Sequence, residues 1–424
     1  MIESNRLFPL ADTTPLVRLA LWFVLGIVTG VYTSVPMPCF FGLLAAALFV
    51  ALLLRRPMAQ SVALYVCMFL LGATLAVRQR DGVLADYAAA TAKRQQPTES
   101  PQQFPLRWYQ WQQRQQQPDT TTVLGRSRVF FLGCRQRLLD RYREQGLSDQ
   151  TYAIVVAMTL GSRSAIDPEV RQDYDVSGAA HVLALSGLHM GIIYALLTLL
   201  TGRRRHRILS QAVIVLTLWA YVLVVGMPIS AVRAASMLTL YSLLSLGYRE
   251  KMSLNALAFT AIVVLALSPL TLFDIGFQLS YASVLSILVW MPLMERWLPK
   301  RLLGGNRLVR LLLSMTAVSI AAQLGSAPLV AYHFGRFSTY FLLTNFVAIP
   351  CVTAILYMAI ATLLWAPIAA PLTLLVNGLN SSLAAISHLP AASIEDLQPS
   401  WLQVLLIYVI ILALHWIITI SESR

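Results

Sequence analysis

Long apolar runs recur along most of the chain, and they restrict what it can fold into more than any other feature. Each run holds about 20 residues, the length that a helix needs to cross the hydrocarbon core of a bilayer. The candidate spans lie near residues 15–35, 37–54, 61–77, 182–201, 208–226, 229–248, 254–273, 276–294, 311–331, 338–366 and 400–420. A further run at 370–389 is either a span or a helix lying in the interface. The sequence therefore predicts an all-α polytopic integral membrane protein with roughly ten to twelve transmembrane helices.

The composition excludes an ordinary water-soluble enzyme. Only 12% of the 424 residues are charged and 57% are hydrophobic, whereas soluble domains carry about 25% charged residues. The four cysteines show no metal-ligand spacing, and no lysine sits in a Gly-rich phosphate-binding loop. We therefore expect no bound metal, no cofactor and no ATPase activity in this chain.

Residues 78–150 interrupt the apolar pattern with a Gln-rich and Arg-rich segment. Its first two-thirds look flexible by composition, while Ser127 to Gln145 spaces its apolar residues as a helix does. The chain is thus divided into N-terminal transmembrane helices over 1–77, this polar segment over 78–150, and a second membrane domain over 151–424.

The placement of basic residues predicts the orientation of the chain. Arginine and lysine cluster in every second loop, as they do in cytoplasmic loops, and residues 78–150 then fall on the outer side. The cytoplasmic set is Arg55, Arg56, Arg203, Arg204, Arg205, Arg207, Arg249, Lys251, Arg296, Lys300, Arg301, Arg307 and Arg310. The outer segment holds twelve basic and seven acidic residues, so a charge of +5 out of the total +13 remains unexplained by orientation.

Aromatic residues alternate with arginine in the middle of the outer segment. Single-stranded nucleic acid is bound by this combination, because rings stack on bases and guanidinium groups contact phosphates. Trp, Tyr and Arg also form membrane-interface anchors and partner contacts, and both readings stay open. The candidate DNA-contact residues are Arg107, Trp108, Tyr109, Trp111 and Arg114.

Two short helices are expected between the outer segment and the next span. Residues 152–160 are apolar enough for a buried or interfacial helix that begins after Ser148 and ends at Gly161. Asp167 and Pro168 have the order of an N-cap followed by the first helical residue, and the polar helix that they start should stop before Gly178.

The sharpest local feature is a span that begins with two histidines, a serine and two glycines. Ser186 and His189 are three residues apart and share one face of a helix, while Gly187 permits close packing or a break. Ionisable groups such as His181 and His189 are costly at membrane depth and usually face water or a partner. Helix packing and contact with the interface are the alternative explanations.

Later spans also contain polar residues. Arg233 lies a few residues inside its span, where it can line a pore or reach back to the interface. Asp274 and Gln278 are four residues apart, and Asp274 can equally cap the following helix. Gln323 needs a hydrogen-bond partner or water in mid-span, and Asn345 can bend or hydrate a long span.

His333 and Arg336 fall between two predicted spans, where ordinary loop residues are expected. A polar residue in most of the later spans is better explained by one shared hydrated interior than by separate accidents.

The stretch from His181 to Gly191 resembles the signature of the ComEC competence-protein family. Further stretches resemble the same family in the same order over about residues 150–415. They are Met158-Thr-Leu-Gly161-Ser-Arg163-Ser, Tyr174-Asp-Val-Ser-Gly178, Pro228-Ile-Ser230-Ala-Val-Arg233-Ala, Phe273-Asp274-Ile-Gly-Phe277-Gln278-Leu-Ser280-Tyr281, Ala322-Gln323-Leu-Gly-Ser-Ala-Pro328-Leu and Asn345-Phe-Val-Ala-Ile-Pro350.

The resemblance implies that residues 151–424 are a competence-type channel domain in the bacterial cytoplasmic (inner) membrane. Its substrate would be single-stranded DNA taken up during natural transformation, and the chain would act alone or as a homo-oligomer among membrane lipids. A cytoplasmic helicase-like or strand-binding partner would pull the strand. The residues expected to line or gate the path are His181, Ser186, Gly187, His189, Arg233, Asp274, Gln278, Gln323 and Asn345.

This sequence departs from the longer members of that family in two ways. Residues 78–150 lack the alternating strands of the family's outer OB-like domain, which is expected to be reduced or absent. A C-terminal metallo-β-lactamase-like domain is likewise expected to be absent. We therefore expect a short form that is not an enzyme, with strand degradation left to a separate nuclease.

Two other functions are compatible with parts of the sequence. A small-solute transporter, or an orphan membrane protein of the same fold, would explain the reduced outer part. An intramembrane serine hydrolase would use Ser186 with His189 or His333 as base, but Ala184 occupies the place where the hydrolase pattern has glycine.

Overall fold

The structure is a computed structural model that describes residues 14–54, 56–92, 123–201, 207–246, 254–297 and 307–423. Nearly all of these residues are helical. The helices are α1 (Pro15–Tyr32), α2 (Met37–Leu53), α3 (Pro57–Ala92), α4 (Val123–Glu144), α5 (Asp149–Leu160), α6 (Pro168–Ser177), α7 (Ala180–Leu183), α8 (Gly187–Thr201), α9 (Arg207–Val224), α10 (Ile229–Leu246), α11 (Leu254–Leu267), α12 (Ile275–Trp297), α13 (Arg307–Phe334), α14 (Phe341–Thr362), α15 (Ala369–Ser387) and α16 (Trp401–Ser423). Short 3-10 turns cover Pro269–Phe273 and Ala366–Ile368, and two-residue strands cover β1 (Phe337–Ser338) and β2 (Ser393–Ile394).

Seven helices within the described ranges are long and apolar enough to cross a membrane, and five further apolar helices are shorter. The run predicted at 370–389 belongs to the long group, because an apolar helical stretch covers Ala366–Ser387. Large apolar side chains are exposed on many of these helices, most clearly along α16, as expected of surfaces that face lipid. The predicted all-α polytopic membrane fold is confirmed.

The chain divides into two compact units. The first contains residues 1–117 and 250–277, and the second contains residues 118–249 and 278–424. The boundary falls inside α12, between Phe277 and Gln278.

The first unit is built on a close crossing of α1 and α3. Gly26 and Gly30 on α1 lie against the α3 backbone, and Gly72 on α3 lies against the α1 backbone at Phe23. A Cβ atom added at Gly30 would lie 2.6 Å from the carbonyl oxygen of Ala73. An added Cβ at Gly26 would overlap the carbonyl oxygen of Phe69. Small residues at four-residue spacing let helix backbones approach closely in a membrane, so these glycines set the distance between the two helices.

The end of α1 is held by a residue from α3. The Arg80 guanidinium donates to the carbonyl oxygens of Gly30, at 3.1 Å, and of Thr33, which satisfies acceptors that the end of α1 leaves open. Arg80 also pairs with Asp81 at 3.0 Å. The helix α3 covers Pro57–Ala92, so the predicted span at 61–77 forms only part of a longer helix.

The second unit is organised around α5, a helix that is buried on every side. All ten residues from Thr151 to Leu160 are buried, and α5 packs against α14 and α15. Its 12 residues rise only about 18 Å, which is too short to cross a bilayer. The expected start after Ser148 and end at Gly161 are both observed, with Gly161 in the left-handed conformation at φ 70°.

A two-stranded ribbon joins two loops of the second unit. Phe337 pairs with Ile394 and Ser338 pairs with Ser393 in antiparallel register. The adjacent Thr339 hydroxyl donates to the Ala391 carbonyl oxygen at 2.6 Å. This ribbon fixes the connection between α13 and α14 beside the end of α15.

We predict that Gly26→Ala destabilises the protein by about 1–3 kcal/mol, the usual cost of overpacking a tight contact. The matched control is Gly42→Ala in the same unit, because an added Cβ there has no neighbour within 4 Å. Both changes raise helix propensity equally. Thermal unfolding of the detergent-solubilised protein measures the difference, and equal melting temperatures for the two variants would refute the close crossing.

Candidate functional site

The span predicted at 182–201 is interrupted near its start. The short helix α7 ends at Leu183, Ala184 is extended with φ −87° and ψ 135°, and α8 begins at Gly187. His181 and Gly187 are exposed on either side of this break, whereas Val182, Leu183 and Leu185 are buried. The break therefore presents polar side chains and backbone to an accessible space next to a packed interior.

Ser186 and His189 together cap the start of α8. The Ser186 hydroxyl lies 3.0 Å from His189 Nδ1, and the Ser186 backbone N–H donates to the same nitrogen at 3.4 Å. A side chain three residues into the helix that accepts from the N–H of the preceding serine forms one half of a capping box. A backbone N–H can only donate, so Nδ1 accepts and the neutral ring carries its proton on Nε2.

The His189 ring is otherwise enclosed. The side chain is 0% exposed, and Nε2 has no hydrogen-bond partner within the described part of the chain. The predicted proximity of Ser186 and His189 is thus present, with capping as its evident structural role.

The helix α8 by itself is shorter than a full membrane span. With 15 residues, α8 rises about 22 Å, which is less than the roughly 30 Å hydrocarbon core. Non-helical backbone at membrane depth is tolerated only where it is buried in protein or lines a water-filled cavity. If the break lies at membrane depth, the exposed backbone at Gly187 would therefore have to face water.

A second polar contact ties the break to α10. The Ser230 hydroxyl donates to the carbonyl oxygen of Leu185 at 2.6 Å, which satisfies an acceptor that the interrupted helix leaves open. Arg233 lies one turn further along α10 and is only 3% exposed. Its side chain is therefore packed within the second unit and does not extend along the lipid-facing surface.

The other side of the break is fixed by the turn between α6 and α7. Gly178 has φ 86°, and a Cβ added there would lie 2.8 Å from the Ser338 Cβ. Ser338 and Thr344 both donate to the Ser177 carbonyl oxygen, at 2.8 and 2.7 Å. His181 Nδ1 donates to the Gly178 carbonyl oxygen at 3.1 Å, so this turn orients the exposed ring.

The helix α6 is anchored by a buried phenol. Tyr174 is fully buried and donates to the Asn380 Oδ1 at 2.8 Å. Burial raises the pKa of Tyr174 well above its usual range, so the phenol remains a donor. This anchor holds α6, and with it the turn that carries His181, against α15.

Asp274, which precedes α12, and Gln278, which lies on α12, have different contacts. Asp274 Oδ1 accepts from the Phe277 N–H at 2.9 Å, so the capping alternative is observed. Gln278 Oε1 lies 3.0 Å from His333 Nε2. The prediction that His333 is a loop residue is wrong, because α13 continues to Phe334 and includes it.

The remaining predicted residues lie on α13 and α14. Asn345 Nδ2 donates to the Ser319 hydroxyl at 3.1 Å, which gives this amide a partner on the neighbouring helix. Gln323 is half-buried on α13. The sequence analysis did not predict the contacts of Ser230, Ser319 and His333. One available signal was the spacing of Ser319 and His333, which are fourteen residues apart and so share a helical face.

The Arg-aromatic cluster over 107–114 lies outside the described residues. No group of three His, Cys, Asp or Glu side chains that could hold a metal ion occurs within the described ranges.

Comparison with known proteins identifies the class to which this polytopic membrane protein belongs. A model of the Competence protein family matches residues 158–420, more than half of the chain. ComE operon protein 3 of Bacillus subtilis is 34% identical over 212 residues, which cover 49% of this chain and 25% of that protein. An uncharacterized protein of Aquifex aeolicus is 32% identical over 198 residues, covering 46% of this chain and 44% of the relative.

A more distant relative is Recombination protein 2 of Haemophilus influenzae, 25% identical over 231 residues that cover 51% of this chain and 29% of that protein. The chain thus aligns with less than half the length of each of these relatives. No solved structure matches it. The chain belongs to the Competence protein family, as the collinear stretches predict.

We predict that a cysteine at position 187 reacts with a water-soluble methanethiosulfonate reagent. The Gly187→Cys side chain has open space, because an added Cβ there has no neighbour within 4 Å, and the thiolate that reacts forms only in water. The control is Ile192→Cys on the same helix, where the native side chain is 7% exposed. Both are made after Cys39, Cys67, Cys134 and Cys351 are replaced by serine. Equal protection of both positions would show that the break is not hydrated.

Proposed function

We propose that the chain forms a path for single-stranded DNA across the bacterial cytoplasmic membrane during natural transformation. The observation that carries the proposal is the α7–α8 break, an exposed polar discontinuity inside an apolar span of a Competence protein family member. The description of the family, Competence protein, and the relative ComE operon protein 3 support a competence role.

A polyanion with one charge per nucleotide requires a hydrated path with contacts that release easily. The predicted path residues fit this requirement, because they are mostly neutral hydroxyl, amide and imidazole groups. Arg233 would supply positive charge without lying on the open surface, and His181 and Gly187 would meet the strand at the break.

The orientation rests on the alternating basic loops, which favour a cytoplasmic location for the loops rich in arginine. Residues 78–150 would then lie on the outer side, where their net positive charge and their Arg-aromatic cluster would attract the incoming strand. Translocation would need a cytoplasmic helicase-like or strand-binding partner to pull, and a separate nuclease to remove the other strand. A homo-oligomer is compatible with the proposal.

The discontinuous helix also supports a second candidate, a small-solute transporter. Interrupted helices near the middle of the bilayer are the usual binding elements of secondary transporters. The two candidates differ in the size of the substrate that passes, which a transport assay on the same protein separates.

We predict that vesicles containing the purified full chain take up labelled single-stranded oligodeoxythymidine. Single-strand-binding protein inside the vesicles traps the strand that enters. A labelled amino acid and a labelled sugar are the small solutes tested for comparison. Arg233→Ala should lower strand uptake about tenfold, a change of about 1.4 kcal/mol, because the buried positive charge would attract the polyanion without touching it. Arg233→Lys, which keeps the charge, should retain most of it.

Thermal unfolding of each Arg233 variant controls for loss of fold, because removing a buried charge disturbs its surroundings. Passage of the small solutes without the strand would favour the transporter. Absence of any strand uptake by the folded wild-type chain, alone and with a helicase-like partner, would overturn the proposal.

The Ser186–His189 contact calls for a test of the serine hydrolase alternative. Nδ1 of His189 already accepts from the Ser186 backbone N–H, so the contact is explained by capping. We predict that a fluorophosphonate reagent does not label the folded protein. Labelling that disappears in Ser186→Ala would instead identify a nucleophilic serine.

A further inference from the structure

We propose that Arg163 and Arg171 form a phosphate-binding site for the strand at the edge of the α7–α8 break. The inference rests on the proposed function, because it names the groups that would first hold the strand of that path. Both arginines are exposed, and neither guanidinium group forms a hydrogen bond or an ion pair within the part of the chain that the structure describes. Their donors are therefore available to a ligand.

The end of α5 places the first of these arginines beside the break. Gly161 ends α5 and packs against the break, since a Cβ added there would lie 4.0 Å from the Leu185 Cβ. The Tyr221 hydroxyl donates to the Thr159 carbonyl oxygen at 2.5 Å, which fixes this end of α5 to α9. Arg163 follows Gly161 by two residues, and two residues of chain span at most about 7 Å. Arg163 therefore lies beside the break.

The turn between α5 and α6 places the second arginine. The Ile166 N–H donates to the Arg163 carbonyl oxygen at 3.3 Å, so the chain reverses within four residues. The Asp167 N–H donates to Gln150 Oε1 at 3.2 Å, which ties the turn to the first turn of α5. Arg171 lies in the first turn of α6, where its N–H donates to the Asp167 carbonyl oxygen at 2.9 Å. The backbone between the two arginines is thus held in one shape.

Contacts of α6 with α15 turn Arg171 away from the packed interior. Tyr174 is fully buried and donates to Asn380, and Asp173 Oδ1 accepts from the Ser387 hydroxyl at 2.6 Å. Asp173 is two residues from Arg171 and so lies on nearly the opposite side of the helix. Its carboxylate therefore faces α15 and does not neutralise Arg171.

The two guanidinium groups share their electrostatic surroundings. Partial enclosure lowers the pKa of Arg163, the positive charge of Arg171 lowers it further, and the carboxylate of Asp175 acts in the opposite direction. An arginine side chain stays protonated at neutral pH in any protein, so two positive charges and one negative charge lie together. This group keeps a net positive charge that a bound anion would balance.

The chemistry of the pair fits a phosphodiester group. Each guanidinium presents a planar fork of N–H donors that matches two phosphate oxygens, and a phosphate between the two would offset their mutual repulsion. The exposed residues of the break itself, His181 and Gly187, offer only neutral groups. The strand would therefore be captured at the edge by charge and would meet weaker contacts when it advances into the break.

The test uses a reporter inside the break. The full chain, with Gly187→Cys as its only cysteine, is placed in phosphatidylcholine nanodiscs, and the rate of modification by an uncharged methanethiosulfonate reagent is measured. We expect oligodeoxythymidine bound at the edge to cover position 187 and to slow the reaction about fivefold or more at low salt. Higher salt should remove this protection, because contacts with phosphates are weakened by salt.

The two arginines should contribute in the same way. Arg163→Gln and Arg171→Gln should each raise the oligonucleotide concentration for half-protection about fivefold, the effect of losing about one hydrogen bond. Each should also make the dependence on salt less steep, by about 0.7 in the log–log slope. Arg163→Lys keeps the charge but loses the planar fork, so it should keep the slope and lose part of the affinity.

A change of opposite sign tests the electrostatic argument. Asp175→Asn removes the one carboxylate near the pair and should lower the concentration for half-protection about twofold or more. A methylphosphonate strand, whose backbone is neutral, should protect wild type and all variants equally weakly. A defect that came only from altered structure would persist with the neutral strand.

The matched control is Arg307→Gln, which removes the same charge from an exposed arginine at the start of α13. This helix has 28 residues and is about 42 Å long, and its other end adjoins the loop that packs on Gly178. Arg307→Gln should therefore leave the protection unchanged. Equal melting temperatures, and equal reaction rates without the strand, would show that the variants keep the fold and the access to position 187.

The outcomes separate this site from the proposed function. Unchanged protection in Arg163→Gln or in Arg171→Gln would overturn the site, and strand uptake by wild-type vesicles would leave the path standing. Protection by phosphatidylglycerol in the nanodiscs, but not by the strand, would assign the arginines to lipid headgroups and also overturn the site. If the variants lose protection while wild-type vesicles take up no strand, the site stands and the proposed path fails.

Discussion

The structure depends on one constraint: a backbone polar group inside a bilayer must find a hydrogen-bond partner within the protein or reach water. Regular helices meet this requirement by themselves, so the apolar runs fold as helices. The constraint becomes informative where the helix stops, between Leu183 and Gly187. There Ser230 supplies a donor to the Leu185 carbonyl oxygen, and His189 accepts from the Ser186 N–H. These two side chains stabilise the break, which leaves Gly187 exposed.

The same constraint explains how much of the fold the sequence could predict. Apolar length and the signals at Asp167, Pro168 and Gly178 predict helices and their ends, because these are local properties of the chain. The break within 182–201 was left open as an alternative to close packing at Gly187, since its residues are nearly as apolar as a continuous span and the stabilising hydroxyl comes from Ser230, more than forty residues away. The contact of His333 with Gln278 was missed for a similar reason: it depends on how α12 and α13 cross, and a hydropathy pattern does not contain that information.

Glycine has two opposite uses in this chain, and only the structure separates them. Gly26, Gly72 and Gly325 sit where a neighbouring backbone leaves no room for a Cβ atom, so they fix the distance between helices. Gly187 has open space around it and marks the start of a helix. In the sequence all four are glycines within apolar runs, so the pattern alone supports packing and interruption equally. The contrast supports the assignment of the α7–α8 break, and not the crossings, to the candidate site.

The character of the candidate site follows from the energies of individual contacts. A neutral hydrogen bond contributes about 1 kcal/mol and slows the departure of a ligand about fivefold, whereas a bond to a charged group contributes up to about 3 kcal/mol and slows it more than a hundredfold. A strand that contacts several groups at once multiplies these factors. For the proposed substrate, a path lined by arginines would bind the polyanion and retain it, but amides and hydroxyls would let it advance. The exposed or half-buried polar residues at the break are neutral groups, whereas Arg233 is buried. In such a path, the orientation of neutral groups would replace charge as the means of recognition.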